Sequence, residues 1–309
     1  MTAAPARHCD GAVRLRGAAL LLALGFASAS GCALVNRNGP DPRSLVASRD
    51  LAQRGITAIE QQNWSSAETL LSQAVDVCSA CPEARRYYAE ALWHKGDING
   101  AFAQLETAVE LAPQDATLHV RLAEMKLARS LLAEARAEAD RAIDLDPHLA
   151  SGWVVRAHIE QQAGELTEAL ADLHRALSCE TAQSEVLLEI AEIYRQLGEP
   201  QRALMSLQSV AQTYAPGAEP PQVLYLSGLA YSALGRYEDA LLAYRAASDR
   251  GGANPELAFR AGETLYLAQQ PEAARHALHE ALAMDPGHAP SRQLLERIDV
   301  AQRPMAAPR

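Results

Sequence analysis

The residues best suited to chemistry come as two short pairs. Cys78 and Cys81 flank Ser79-Ala80, and His276 and His279 stand three apart further along. A Cys-x-x-Cys pair can cycle between dithiol and disulfide, and a helix beginning just after Cys81 would favour its thiolate. Redox motifs of that kind sit between a strand and a helix, and no such context surrounds this pair. In an oxidising compartment it reads as a disulfide pinning a turn or as two free thiols. Zinc would need two more ligands, and none is suitably spaced. The two histidines lack a third ligand on their face and read as solvated surface. Cys179 lies far along the chain from Cys78 and Cys81. There is no Gly-x-Ser-x-Gly, no His-Glu-x-x-His and no phosphate-binding glycine loop. The expectation is a protein that is not an enzyme and holds no cofactor and no metal.

The elements carrying these residues repeat. Residues 82–115 contain two apolar-periodic helical segments, about 83–95 and 99–111, broken at Gly96-Asp97 and closed by Pro113. A second copy lies 34 residues on and closes at Pro147. Windows of this length begin at Ser48, Pro82, Ala116, Ala150 and Ser184; after a three-residue insertion they resume at Pro221 and Pro255. Seven windows therefore cover 48–81, 82–115, 116–149, 150–183, 184–217, 221–254 and 255–288. A fixed period in this range marks a helical solenoid.

The same residue types recur at the same offsets. Each first helix carries a small residue at its middle: Gly55, Ala89, Ala123, Ala157, Ala191, Gly228, Gly262. Each second helix carries an early alanine: Ala67, Ala101, Ala135, Ala169, Ala203, Ala240, Ala274. Four residues later comes a larger group, Leu71, Leu105, Leu173, Leu207, Tyr244 or Leu278, with Ala139 the exception. Two antiparallel helices approach closely only where bulk is absent, so the small residue should face the alanine. The larger residue should fill the space beside the crossing. One hairpin cannot bury its own apolar face, so stability must come from stacking neighbours.

These residues resemble the tetratricopeptide repeat. Trp153, Ala157, Gly164, Ala169, Leu173 and Ala176 match its pattern in one window, and Pro113, Pro147 and Pro286 match its closing proline. The resemblance covers about four-fifths of the chain. It implies an all-α fold, a right-handed superhelical solenoid of seven repeats, in which the first helices line a concave groove for peptides or partner helices. An amphipathic helix at 289–301 would cap the last repeat. Residues 214–221, rich in proline and glycine, read as a longer loop or as a hinge between five repeats and two.

Helical spacing puts one stripe of each first helix on the groove side. From it come Glu83, Arg86, Glu90, Trp93, Val120, Glu124, His158, Leu188, Glu192, Arg195, Gln222, Tyr225, Leu229, Glu256, Phe259, Glu263 and Tyr266. Glutamates outnumber arginines there and aromatic groups gather toward the C-terminal end. The expected partner is a protein segment with basic and apolar side chains. The asparagine-and-lysine clamp with which some relatives hold a C-terminal carboxylate has no counterpart.

The chain has 309 residues, 49 % of them hydrophobic and only 5 % aromatic, and a net charge of −10. A polyanion would be repelled, which argues against nucleic acid and against direct binding to anionic lipid. At the N-terminus, Arg7, Arg14 and Arg16 precede an apolar run at 17–27, too short to span a bilayer but suited to a signal-peptide core. Ser30-Gly31-Cys32 resembles the processing site of a bacterial lipoprotein, although Ala29 stands where leucine is usual. The resemblance implies a lipid on Cys32 and, because Ala33 is not aspartate, retention at the outer membrane facing the periplasm. Ordinary processing after Ala29 would instead leave a soluble exported protein. Residues 32–47, polar and turn-rich, read as a flexible tether spanning at most about 50 Å, and 302–309 as a disordered tail.

Overall fold

The computed structural model describes residues 41–179 and 184–302, and among these lie fifteen α-helices and no strand. Seven pairs follow one another: α1 (Pro42–Glu60) with α2 (Trp64–Val77), α3 (Pro82–Lys95) with α4 (Ile98–Leu111), α5 (Ala116–Ala128) with α6 (Leu132–Leu145), and α7 (Ala150–Ala163) with α8 (Leu166–Cys179). Then come α9 (Ser184–Gln196) with α10 (Pro200–Ala211), α11 (Pro221–Ala233) with α12 (Tyr237–Gly251), and α13 (Pro255–Leu267) with α14 (Pro271–Met284). The last helix, α15 (Ala289–Gln302), packs against α14 and α13. Each helix packs on its own partner first and on the next pair second. This is an all-α superhelical solenoid.

One device turns every hairpin. The fifteenth residue of each window is left-handed: Gly96, Gly164, Gly198 and Gly235 have φ between 71° and 87°. Gln62 (56°), Ser130 (58°) and Gln269 (60°) hold the same place where no glycine is available. In each case the next residue donates its N–H to a carbonyl five positions back, as Asp97 does to Leu92 and Gln270 to Leu265. That bond satisfies a carbonyl the helix end would otherwise leave open.

The alanines that open the second helices are all at most 1 % exposed. The close approach differs from the expected one in a single respect. The mid-helix glycines lie mainly under the larger residue of the next helix, not under the alanine. A Cβ at Gly55 would come 2.5 Å from Leu71 Cγ, one at Gly228 would come 2.4 Å from Tyr244 Cε1, and one at Gly262 would come 2.9 Å from Leu278 Cγ. Sixteen residues separate each pair, which brings the larger group across the hairpin onto the bare backbone. Absence of bulk on one helix is thus matched by bulk on the other.

The first helix also departs from expectation. Residues 42–47, read from the sequence as the end of the tether, form the opening turns of α1. Pro42 occupies the first helical position, where a missing N–H costs no hydrogen bond. Ser48 is buried, and its hydroxyl donates to the Ala74 carbonyl at 2.8 Å, tying α1 to the end of α2. The leader, Cys32, the earlier part of the tether and the tail beyond 302 lie outside the described residues. The longer connection before α11 is strapped by Arg250, whose guanidinium donates to the carbonyl and carboxylate of Glu219, both at 2.7 Å.

Candidate functional site

The first helices pack on one another directly, α1 on α3, α5 on α7, α9 on α11 and α11 on α13. Side chains 31 residues apart bridge them. Glu90 accepts from Arg121, His158 Nε2 lies 2.9 Å from Glu189 Oε2, and the Tyr225 hydroxyl donates to Glu256 at 3.2 Å. The spacing is one repeat less about one helical turn, so the bridges recur along a single face. Ser232 and Thr264, 32 residues apart in sequence and 3.1 Å apart in space, add a second bridge between α11 and α13.

The face opens into a cavity of about 490 Å³ lined only by first helices. Gln161 comes from α7; Glu185, Leu188, Glu189 and Glu192 from α9; Gln222, Tyr225 and Leu226 from α11. The α9 residues follow a spacing of three, four and seven, one face of one helix. A second hollow of about 330 Å³ shares Gln222 and Tyr225 and continues between the end of α12 and the start of α13, over Ala247, Gly251 and Leu257. The lining sets carboxylates beside apolar groups, an arrangement suited to long side chains with a charged tip.

The charges are less free than the sequence suggests. Arg121 bonds both Glu90 and Glu124, Arg195 forks onto Glu192 at 2.6 and 2.8 Å, and Arg260 bonds Glu256 and Glu263 at 2.7 and 2.9 Å. The Arg195 bonds hold the Glu192 carboxyl below its ordinary range. Contact with Glu189 raises the His158 imidazole, burial opposes that, and Glu124 adds to it. Among the described residues of this cavity, Glu185 makes no ion pair.

Of the residues the helical stripe selected, the cavity brings together Leu188, Glu192, Gln222 and Tyr225, with His158 at its margin through Glu189. Glu90, Glu124, Arg195 and Glu263 belong to the ion pairs just described. Arg86 lies over the Tyr87 ring, Trp93 meets Phe102 edge-on, Leu229 packs half-buried near Tyr244, and Tyr266 takes Arg297 over its ring. Two residues do not line the face. Val120 is 5 % exposed and belongs to the buried cluster that holds Ala123, Ala135 and Ala139 and, from α7, Val155 and Ile159. Phe259 is 8 % exposed, enclosed by Leu278 and by Leu294 and Ile298 of the terminal helix. The stripe missed Gln161, Glu185, Glu189 and Leu226. Their neighbours across the cavity come from other repeats, and within one helix nothing distinguishes them from solvated positions.

Cys78 and Cys81 form a disulfide with Cα atoms 5.5 Å apart. Cys78 ends α2 and Cys81 precedes α3, so the bond closes the turn between the first two pairs. Cys179 is free and half-buried. The His276 side chain is largely solvated and lies 3.4 Å from Glu280. Among the described residues no group of three or more His, Cys, Asp or Glu is placed to hold a metal ion. Ser291 Oγ, His288 and Glu256 stand in the order of a hydrolytic triad, at 2.8 and 3.6 Å. Ser291 is wholly buried and its backbone N–H points at the same His288 nitrogen, so the group caps the start of α15.

Solved structures similar to this chain are tetratricopeptide proteins. The C-terminal part of such a protein from Cytophaga hutchinsonii superposes with a TM-score of 0.61 at 14 % identity, over 78 % of this chain and 98 % of that one. Pseudomonas aeruginosa PilF gives 0.59 at 16 % identity, over 70 % and 97 %. YrrB, described as having an unusual peptide-binding site, gives 0.54 at 19 % identity, over 62 % and 97 %. Comparison with curated proteins gave no match. One tetratricopeptide repeat model matches residues 53–116, 96–150 and 225–289, and a second matches 185–215. With more than half its length matched in this way, the chain belongs to the tetratricopeptide repeat family.

Proposed function

We propose that this protein is a non-catalytic scaffold that holds a segment of another protein along the face of its first helices. The cavity shared by α7, α9 and α11 carries the proposal, because only a stacked array of repeats builds a concavity from three successive hairpins. Its apolar wall, Leu188, Leu226 and Tyr225, and its carboxylates, Glu185, Glu189 and Glu192, favour a segment with apolar and basic side chains. YrrB, of the same fold, is described as binding peptide. Crosslinking in the native cell followed by mass spectrometry identifies the partner. Leu188→Ala with Tyr225→Ala should then weaken its capture at least tenfold, while Leu242→Ala, on an exposed side of α12, leaves it unchanged. Equal capture by all three proteins overturns the assignment of the face.

The site of action belongs to the same proposal. The leader and Cys32 support export and a lipid anchor at the periplasmic side of a bacterial outer membrane, with residues 33–41 as tether. Mass spectrometry of the mature N-terminus tests this. A lipid-modified Cys32 as the first residue supports it, and a free N-terminus at Ser30 establishes the soluble exported form instead.

A further inference from the structure

His158 sits on α7 at the edge of the cavity, half-exposed, with Nε2 2.9 Å from Glu189 Oε2. Glu189 in turn lines the cavity, next to Glu185 and Glu192 on α9. The imidazole therefore stands between solvent and one of the carboxylates offered to a ligand. From α5 it faces Glu124, itself bonded to Arg121; from α9 it faces Glu189, with Glu192 held by Arg195. The charges from α6 and α8, namely Arg136, Asp140 and Asp172, are directed at Arg156 and Glu160. Those two residues are two positions from His158 in either direction, on the far side of α7. The local balance at His158 is thus acidic. We propose that His158 is a pH gate on this face: protonated, it neutralises Glu189 and repels a cationic side chain, and neutral, it releases Glu189 to bind one.

The proposal rests on the reading of the cavity as a site for basic and apolar segments. Glu189 raises the imidazole above its ordinary value and burial opposes that. Burial pushes the Glu160 carboxyl, on the far side of α7, up to about 7, so loss of the pH dependence in His158→Gln is what assigns the transition to the imidazole. Removing one positive charge within a few ångströms of a bound ammonium at a half-exposed site should tighten binding about three- to tenfold. Binding of the cation must lower the affinity of His158 for its proton by the same factor.

The probe is a fluorescent decapeptide of alternating lysine and leucine, its glutamate–leucine counterpart serving as control, titrated against the full protein at pH 5.5 and pH 8. The gate predicts that the lysine peptide binds three- to tenfold tighter at pH 8, and that His158→Gln binds it at the pH 8 strength at both values. Glu189→Gln should bind it more weakly than the wild type at pH 8. The NMR titration of the His158 ring should shift downward when the lysine peptide is bound. Lysine-peptide binding that is equally strong at both pH values in the wild-type protein overturns the gate and leaves the cavity reading standing. Failure of that peptide to bind at either pH, or preference for the glutamate peptide, overturns the cavity reading and the gate with it.

Discussion

Gly228 lies directly beneath the Tyr244 ring, so close that a methyl group at 228 would sit 2.4 Å from Cε1 and 2.6 Å from Cδ1. Tyr244 is 3 % exposed, and burial raises its phenol far above the ordinary value. The ring is held by Ala240, Ala247 and Leu257 on the core side, and moving off Gly228 would break that packing. Gly228→Ala gains helix propensity of about 1 kcal/mol and should still lose about 1–3 kcal/mol overall through overpacking. Urea denaturation followed by circular dichroism measures the difference. Gly55→Ala should lose less, since Leu71 can change rotamer where an aromatic ring cannot.

The three non-glycine residues in left-handed turns make the opposite case. Gln62, Ser130 and Gln269 each accept a backbone conformation that costs an L-residue about 1 kcal/mol. Their side chains are exposed, so little packing is lost on removing them, apart from one exposed hydrogen bond that the Ser130 hydroxyl accepts from Gln162 at 3.1 Å. Gln269→Gly and Ser130→Gly should each stabilise the protein by a few tenths to about 1 kcal/mol, because the gain in the folded state exceeds the added freedom of the unfolded chain. The midpoint of urea unfolding should rise in both variants.

Glu160 makes stability depend on pH. Its carboxylate is buried on α7, its Oε2 has no hydrogen-bond partner, and Arg136 reaches only to 3.9 Å from Oε1. Burial pushes the carboxyl up to about 7, the neighbouring Asp172 adds to this, and Arg156 and Arg136 oppose it. A folded-state value above the unfolded one means that the folded protein holds this proton more tightly. Its stabilising effect is fully present below pH 4.5 and is lost as pH rises through about 7. Up to about 3 kcal/mol is involved. Glu160→Gln should flatten that part of the stability profile and be the more stable protein at pH 8, as judged by urea midpoints at pH 5, 6, 7 and 8.

The disulfide between Cys78 and Cys81 joins only the turn between the first two pairs. So short a loop gains about 1–2 kcal/mol from cross-linking in the chain-entropy account. Cys78→Ser with Cys81→Ser should lose that amount, and hydrogen exchange should quicken first in α1 and α2. A dithiol reductant added to the wild-type protein should reproduce the effect. No change should follow in α9 to α12, since each pair leans only on its neighbours.

The period, the helix count and the hairpin order were legible in the residues because every repeat must bury the same columns. An alanine at 67, 101, 135, 169, 203, 240 and 274 is a statement about local packing, and local packing is what a 34-residue unit repeats. Composition and leader likewise needed no coordinates to be read as expectations about export. Other features depended on partners from elsewhere in the chain. Val120 and Phe259 follow the same stripe as Leu188 and Tyr225, yet α7 covers one and α15 covers the other. Glu189 and Gln161 looked like solvated positions until α7, α9 and α11 were set side by side. Which arginine neutralises which glutamate was also undecided, because the bridges join residues 31 apart as well as those one turn apart. Repetition specifies what each hairpin buries, whereas exposure and charge pairing on the inner face arise between hairpins, where the registry of the stack decides them.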